Sequence, residues 1–255
     1  MKKQLVAPLM LAALFSAPSH SQSAGEGEKG KFTITPAALS DYIWRGNAQR
    51  GETQGGLSFQ PEITYEKGPW SFGLSLAYPL NEKLTDTVYP EFDLSAAYEF
   101  SLLGDYFKIK PGVLAYTYPR AEGQYKAIIE PTVTFALDAN DLNVSFTAYY
   151  DVIQKGPTFE LAAGYSIPLG EKVGIDLSAL IGKYELSNTN PDEPPKVDTS
   201  GSYWTVSLSI PIAFSKNTSL VPTCNYHKGF DRKVLGVPYS DENYWVFGIS
   251  YSYSF

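Results

Sequence analysis

A set of ionisable side chains shares one phase of a two-residue repeat. Asp41, Arg45, Glu62, Glu91, Asp93, Glu99, Lys108, Lys110, Glu130, Asp151, Glu160 and Asp176 all stand at positions that alternate with bulky apolar or aromatic ones. Residues two apart on an extended chain point to the same side, so these groups project into one common space. Facing hydrocarbon, a Lys or Arg at mid-depth would cost about 2–4 kcal/mol. Facing water it costs little, so the shared phase predicts a wet interior lined by charge. Acids outnumber bases in the set, and the chemistry such a lining could perform is passage of cations or neutral polar solutes. For any single residue the plain alternative is an ion pair that braces the wall. Glu99 and Lys108 are expected to be cross-strand neighbours in a hairpin that pairs Phe100 with Phe107. Asp41 and Arg45, four apart on one strand face, are expected to pair as well.

A second constellation would do hydrolysis. His227 stands in the last long connection with Asp231, Asp241 and Glu242, and Ser240, Thr199, Ser200 and Ser202 lie nearby. These are the residue types of a nucleophile, base and carboxylate, placed where a lipid-modifying hydrolase would use a rim histidine. No Gly-x-Ser-x-Gly elbow accompanies them, and residues without fixed spacing are weak evidence, so the reading is of a non-enzyme. A third class, a surface receptor or adhesin, would act through the loop at 185–202. No Cys/His cluster has zinc spacing, and no cofactor or metal is expected. The stretch from Asp192 to Asp198 could attract calcium but reads first as a solvated, Pro-stiffened external loop.

The elements that must position these groups are strands. In the last stretch Trp245, Phe247, Ile249, Tyr251, Tyr253 and Phe255 alternate with Val246, Gly248, Ser250, Ser252 and Ser254, a strict period of two. An aromatic terminal residue with apolar partners before it resembles the closing strand of bacterial outer-membrane barrels. There Tyr251, Tyr253 and Phe255 would be the signal read by the barrel-assembly machinery. The same alternation recurs along the chain, from Phe32 to Trp44 as the first strand through Trp204 to Phe214 and Leu220 to Tyr226. It predicts an all-β chain forming a transmembrane antiparallel up-and-down β-barrel of about 12 strands.

Connections alternate tight (66–69, 101–105, 138–141, 168–171, 215–218) with long (46–56, 79–88, 119–126, 153–157, 185–202, 227–243). Short periplasmic turns and long external loops are the outer-membrane arrangement, and an even strand count puts both ends in the periplasm. Aromatic residues cluster near both sets of strand ends, as two lipid interfaces require. A soluble sandwich or barrel would need the bulky set inside, and about twelve strands enclose a bore too wide for one shell of side chains. Pro36, Pro61, Pro111, Pro131, Pro211 and Pro222 run against the pattern, because each removes a ladder donor from a predicted strand.

Residues 1–23 read as a signal peptide: a basic start, a short apolar run from Leu5 to Phe15, then small residues. The run is too short to span a bilayer as a helix, and no Cys follows it to carry a lipid anchor. Residues 24–31 read as a disordered lead-in and 32–255 as the barrel domain. Export through the Sec pathway to the outer membrane follows. The single cysteine, Cys224, excludes an intramolecular disulfide framework. The formal charge of −7 argues against a nucleic-acid partner, leaving outer-membrane lipid and small polar solutes.

Within the first strand and its loop, Ser40-Asp41-Tyr42-Ile43-Trp44-Arg45-Gly46, then Gln49 and Gln54-Gly55-Gly56, resembles the opening motif of the TorF-type porin family of outer-membrane proteins. That motif reads Ser-Asp-Tyr, two residues, Arg-Gly, then a hydroxyl residue and Gln; Ala48 replaces the hydroxyl residue here. The resemblance implies a diffusion channel and names no solute.

Overall fold

The computed structural model describes residues 30–45, 47–48, 56–80, 90–103, 106–119, 127–187, 199–234 and 236–255. The signal-peptide reading, most of the lead-in and the stretch from Asp192 to Asp198 lie outside these residues. Among the described residues the chain makes twelve antiparallel passes closed into a barrel. The first pass is Lys31–Thr35 continued by Ala37–Leu39, the second Ser58–Phe59 continued by Glu62–Lys67, and the third Trp70–Pro79. Glu91–Tyr98 with Phe100–Leu102 makes the fourth, and Phe107–Thr117, Ala127–Ala139, Leu142–Asp151, Gly156–Pro168 and Gly174–Leu186 make the fifth to ninth. The tenth is Thr199–Ser209 continued by Ile212–Ser215, the eleventh Thr218–Val234 and the twelfth Glu242–Ser254.

Closure joins the first pass to the twelfth. Thr33 pairs with Ser254 and Leu39 with Gly248 in one unbroken register. Phe32 and Phe255 exchange backbone hydrogen bonds of 3.0 and 2.9 Å. On the inner face Thr33 Oγ1 meets Ser254 Oγ at 2.9 Å and Thr35 Oγ1 meets Ser252 Oγ at 3.0 Å. A closed ring has no unpaired edge, which is what a strand structure in hydrocarbon must achieve.

Sidedness follows the alternation. Trp245, Phe247, Ile249, Tyr251, Tyr253 and Phe255 are all exposed, while Val246 between the first two is buried. Bulky exposed residues cover the outside of the other passes too, among them Leu94, Phe146, Leu161 and Leu177. Aromatic contacts ring both ends. Trp70 meets Tyr98 at 4.8 Å and Phe32 meets Tyr65 at 4.4 Å near the short turns; Tyr226 lies between Trp204 (5.2 Å) and Trp245 (4.9 Å) near the long loops.

The prolines correct the picture of unbroken strands. The first strand stops at Leu39 rather than Trp44, and Pro36, Pro61 and Pro211 each stand in a gap between two strand pieces. Register places Pro36 opposite Pro61, between the pairs Thr35–Glu62 and Ala38–Phe59. Val113 pairs with Pro131 and Pro111 with Val133, so those two prolines are diagonal neighbours. Each gap or pair still uses the carbonyls: Pro36 accepts from Tyr251, Pro61 from Leu76, Pro211 from Gly174 and Pro222 from Ile210, at 3.0–3.1 Å. Clustering confines the missing donors to a few places in the ladder.

Two connections also differ from the sequence reading. Residues 153–157 form a tight turn, with Gly156 already paired to Asp151. The eleventh pass runs on to Val234, far into the expected loop 227–243, and hairpins through Val237–Tyr239.

Candidate functional site: a caged arginine inside the barrel

Near the long-loop end, inner-face side chains are sealed from solvent on pass after pass. Ser58, Ala77, Glu91, Tyr116, Ile128, Glu130, Asp151, Thr158, Glu160, Tyr184, Tyr203 and Val246 are all under 7 % exposed. Toward the short turns the same face is half-exposed and small: Gly73, Ser95, Thr132, Thr134, Ser145, Gly164, Ser178 and Ser207. Among the described residues the interior is thus more tightly filled toward the long loops than toward the short turns.

Arg45 is central to this buried group. It lies beyond the first pass, between the two-residue strands Ile43–Trp44 and Asn47–Ala48, with a left-handed φ of 43°. Its Nη2 donates to both carboxylate oxygens of Glu130, at 3.0 and 2.9 Å, and its guanidinium carbon stands 5.6 Å from the centroid of the Tyr149 ring. Glu130 is on the sixth pass and Tyr149 on the seventh, halfway round a twelve-pass ring from the first. Reaching them takes the chain across the bore. Burial works against the charge on Arg45, but Glu130, then Tyr203, Tyr116 and Glu160, outweigh it and hold the pKa above the usual arginine value.

Tyrosines fix the acids of this cage. Tyr116 donates to Glu130 Oε2 at 3.1 Å, Tyr149 donates to Glu160 Oε2 at 2.8 Å, and Tyr203 donates to Glu160 Oε1. Tyr203 lies opposite Gly182 and Tyr184 opposite Gly201. A Cβ at Gly182 would stand 2.3 Å from the Tyr203 ring, so glycine there admits the ring flat against the neighbouring strand. Alternation alone does not single out these tyrosines. Their signal is that bulky residues occupy a phase otherwise small or polar.

The remaining inner-face groups are spread along the barrel. Glu91 is fully buried, two residues from Asp93, whose Oδ2 accepts from Ser75 at 3.1 Å. Asp151 caps the tight turn, its Oδ1 accepting from the backbone of Ile153 (2.8 Å) and Gln154 (2.7 Å). Asp41 is buried and its Oδ1 accepts from the Tyr42 backbone at 2.8 Å. Glu62 and Asp176 are half-exposed. Near the short turns, Lys110 meets Glu99 at 2.7 Å, while Lys108 meets Glu99 at 3.6 Å and Asp138 at 2.9 Å. The expected Glu99–Lys108 contact forms, in a different register. Phe100 pairs with Ile109 and Phe107 with Leu102, so Glu99 comes level with Lys110 and reaches Lys108 diagonally. Arg45 and Asp41 do not share a strand face, because the strand has ended before them.

His227 lies within the eleventh pass rather than in a loop. Its Nδ1 meets Thr205 Oγ1 at 2.9 Å. Two of the three acids expected beside it are engaged elsewhere: Asp241 with Lys228 at 3.8 Å, and Glu242 with Arg232 at 3.0 Å and with the Tyr244 hydroxyl. Among the described residues no carboxylate bonds the His227 ring. No group of three metal-ligating side chains gathers among the described residues.

No family model matches this chain, and no curated protein matches it. Solved structures do. The KdgM porin superposes with a TM-score of 0.56 at 12% identity, covering 88% of this chain and 99% of that one. The NanC porin gives 0.52 at 12% identity, with 87% and 98% covered. KdgM is also known in complex with disordered oligogalacturonate. The fold is therefore that of the twelve-stranded outer-membrane porins.

Proposed function

We propose that this protein is an outer-membrane channel of the TorF-type porin kind, carrying small polar solutes with cations or neutral molecules preferred. The carrying observation is the contrast between the two faces. Outside, large apolar residues are exposed; inside, the Lys110 side chain retains 41% of its exposure and its hydroxyl-bearing neighbours are half-exposed. Half-exposed hydroxyls and charge on one face, against exposed hydrocarbon on the other, indicate water inside. Acid excess on the inner face, from Asp41 to Asp176, disfavours polyanions, which sets this interior apart from one that would hold an oligogalacturonate. The crossing at Arg45 narrows the long-loop half, so the resting conductance is low. Tyr251, Tyr253 and Phe255 stand exposed on the outer face, where assembly machinery would read them. Planar-bilayer recording tests the reading: small cation-preferring currents are expected, with liposome swelling for small neutral solutes ahead of anions. Electrical silence together with no swelling would overturn it.

A further inference from the structure

The cage around Arg45 has the makeup of a receptor for a guanidinium group. One guanidinium nitrogen bonds both oxygens of Glu130, and the Tyr149 ring stands where a cation–π contact forms. Tyrosines hold the acceptors, since Tyr116 bonds Glu130 while Tyr149 and Tyr203 bond Glu160. Among the described residues Glu130 bonds the arginine directly, and Glu160 stands near enough to act on its charge. That arginine belongs to a tether built on two-residue strands and holds a backbone conformation that costs a non-glycine residue.

We propose that this cage is a binding site for small solutes bearing a guanidinium group, filled in the structure by the chain's own Arg45. An incoming solute of this class competes with Arg45 for Glu130. The inference rests on the channel reading and names the class of cation that channel favours. A neutral isostere cannot take the place, since it leaves a buried carboxylate without a charged partner.

Chemical replacement of the missing side chain is the test. In Arg45→Ala the cage is vacant, and methylguanidinium is expected to raise the unfolding temperature of the detergent-solubilised barrel, because a ligand of the folded state alone stabilises it. Citrulline, and sodium at the same ionic strength, are expected to give no shift, and Arg45→Ala/Glu130→Gln is expected to lose the response to methylguanidinium. Absence of stabilisation, or equal stabilisation in the double variant, overturns the proposal. If Arg45→Ala does not refold, refolding yield is read instead: recovery with methylguanidinium but not sodium supports the cage, and no recovery overturns it. In bilayers the Arg45→Ala current is expected to be blocked reversibly by methylguanidinium. Silence of both wild type and variant defeats the channel reading, while the unfolding measurement still decides the cage.

Discussion

Arg45 and Glu130 are 85 residues apart in sequence and meet across the bore through a single guanidinium nitrogen that bonds both carboxylate oxygens. Both side chains are sealed, at 0% and 1% exposure. The pair therefore joins the segment after the first pass to the far wall, and it does so where water cannot replace either partner. Taking two charges out of water is expensive, and such a pair holds only while both members are present. A contact of this kind acts as a position marker more than as a source of net stability.

Glu130→Gln should thus be costly, leaving a buried guanidinium without its main counter-charge. Loss of one partner of a buried pair costs about 3–5 kcal/mol. Urea unfolding of the barrel refolded into lipid vesicles measures it, and single-channel conductance should rise as the crossing segment loosens. A variant with unchanged urea midpoint and unchanged conductance would show that the pair does not hold the segment.

Gly182→Ala acts on the same cage from behind. The new methyl group would stand 2.3 Å from the Tyr203 ring and must displace it, which loosens the hydrogen bond to Glu160. Overpacking of this size costs about 1–3 kcal/mol. Gly164→Ala is the control, since a Cβ there meets only the Leu177 carbonyl at 3.9 Å. Urea midpoints of the two variants should differ accordingly, and equal midpoints would deny the ring its place.

The barrel itself was legible because period two carries it: every second residue faces lipid, so Trp245 to Phe255 and its repeats declare both strand and side. Register was less so. The pairing of Phe100 with Ile109 depends on the turn after Leu102, whose geometry no alternation encodes. The filling of the long-loop half was hidden for a different reason. Alternation assigns Arg45 to a strand face, and nothing local in sequence joins it to Glu130. The tyrosines at 116, 149 and 203 did leave a trace, as large residues in the small phase. Reading that break of pattern as filling of the bore requires knowing which passes face each other.

The outward orientation predicts an asymmetry between adjacent phases. Leu161 is 51% exposed near the middle of a thirteen-residue pass, and Leu161→Arg should cost about 2–4 kcal/mol in a bilayer. Ser145 faces the half-exposed interior, and Ser145→Arg should leave stability nearly unchanged while shifting ion preference toward anions. Refolding equilibria in lipid vesicles compare the two, and equal penalties would place lipid on both faces or on neither.

Ion preference should also respond at the short-turn end. Glu99, Asp138, Lys108 and Lys110 form one connected cluster whose formal charges cancel, with Glu99 held between both lysines. Lys110→Gln leaves that cluster with one uncompensated negative charge. Its side chain is 41% exposed, so solvent screens the 2.7 Å contact and the loss of stability should stay within about 1 kcal/mol. A permeating ion passing about 4 Å from the freed carboxylate in water-like surroundings feels about 1 kcal/mol, on the order of a fivefold change in preference. The reversal potential in a salt gradient should therefore move toward the cation value, and the shift should shrink as salt is raised and screening shortens. Lys108→Met removes two contacts instead of one, from a more buried position, and should move the urea midpoint further than Lys110→Gln does. A reversal potential untouched by Lys110→Gln would mean that permeating ions do not pass this cluster.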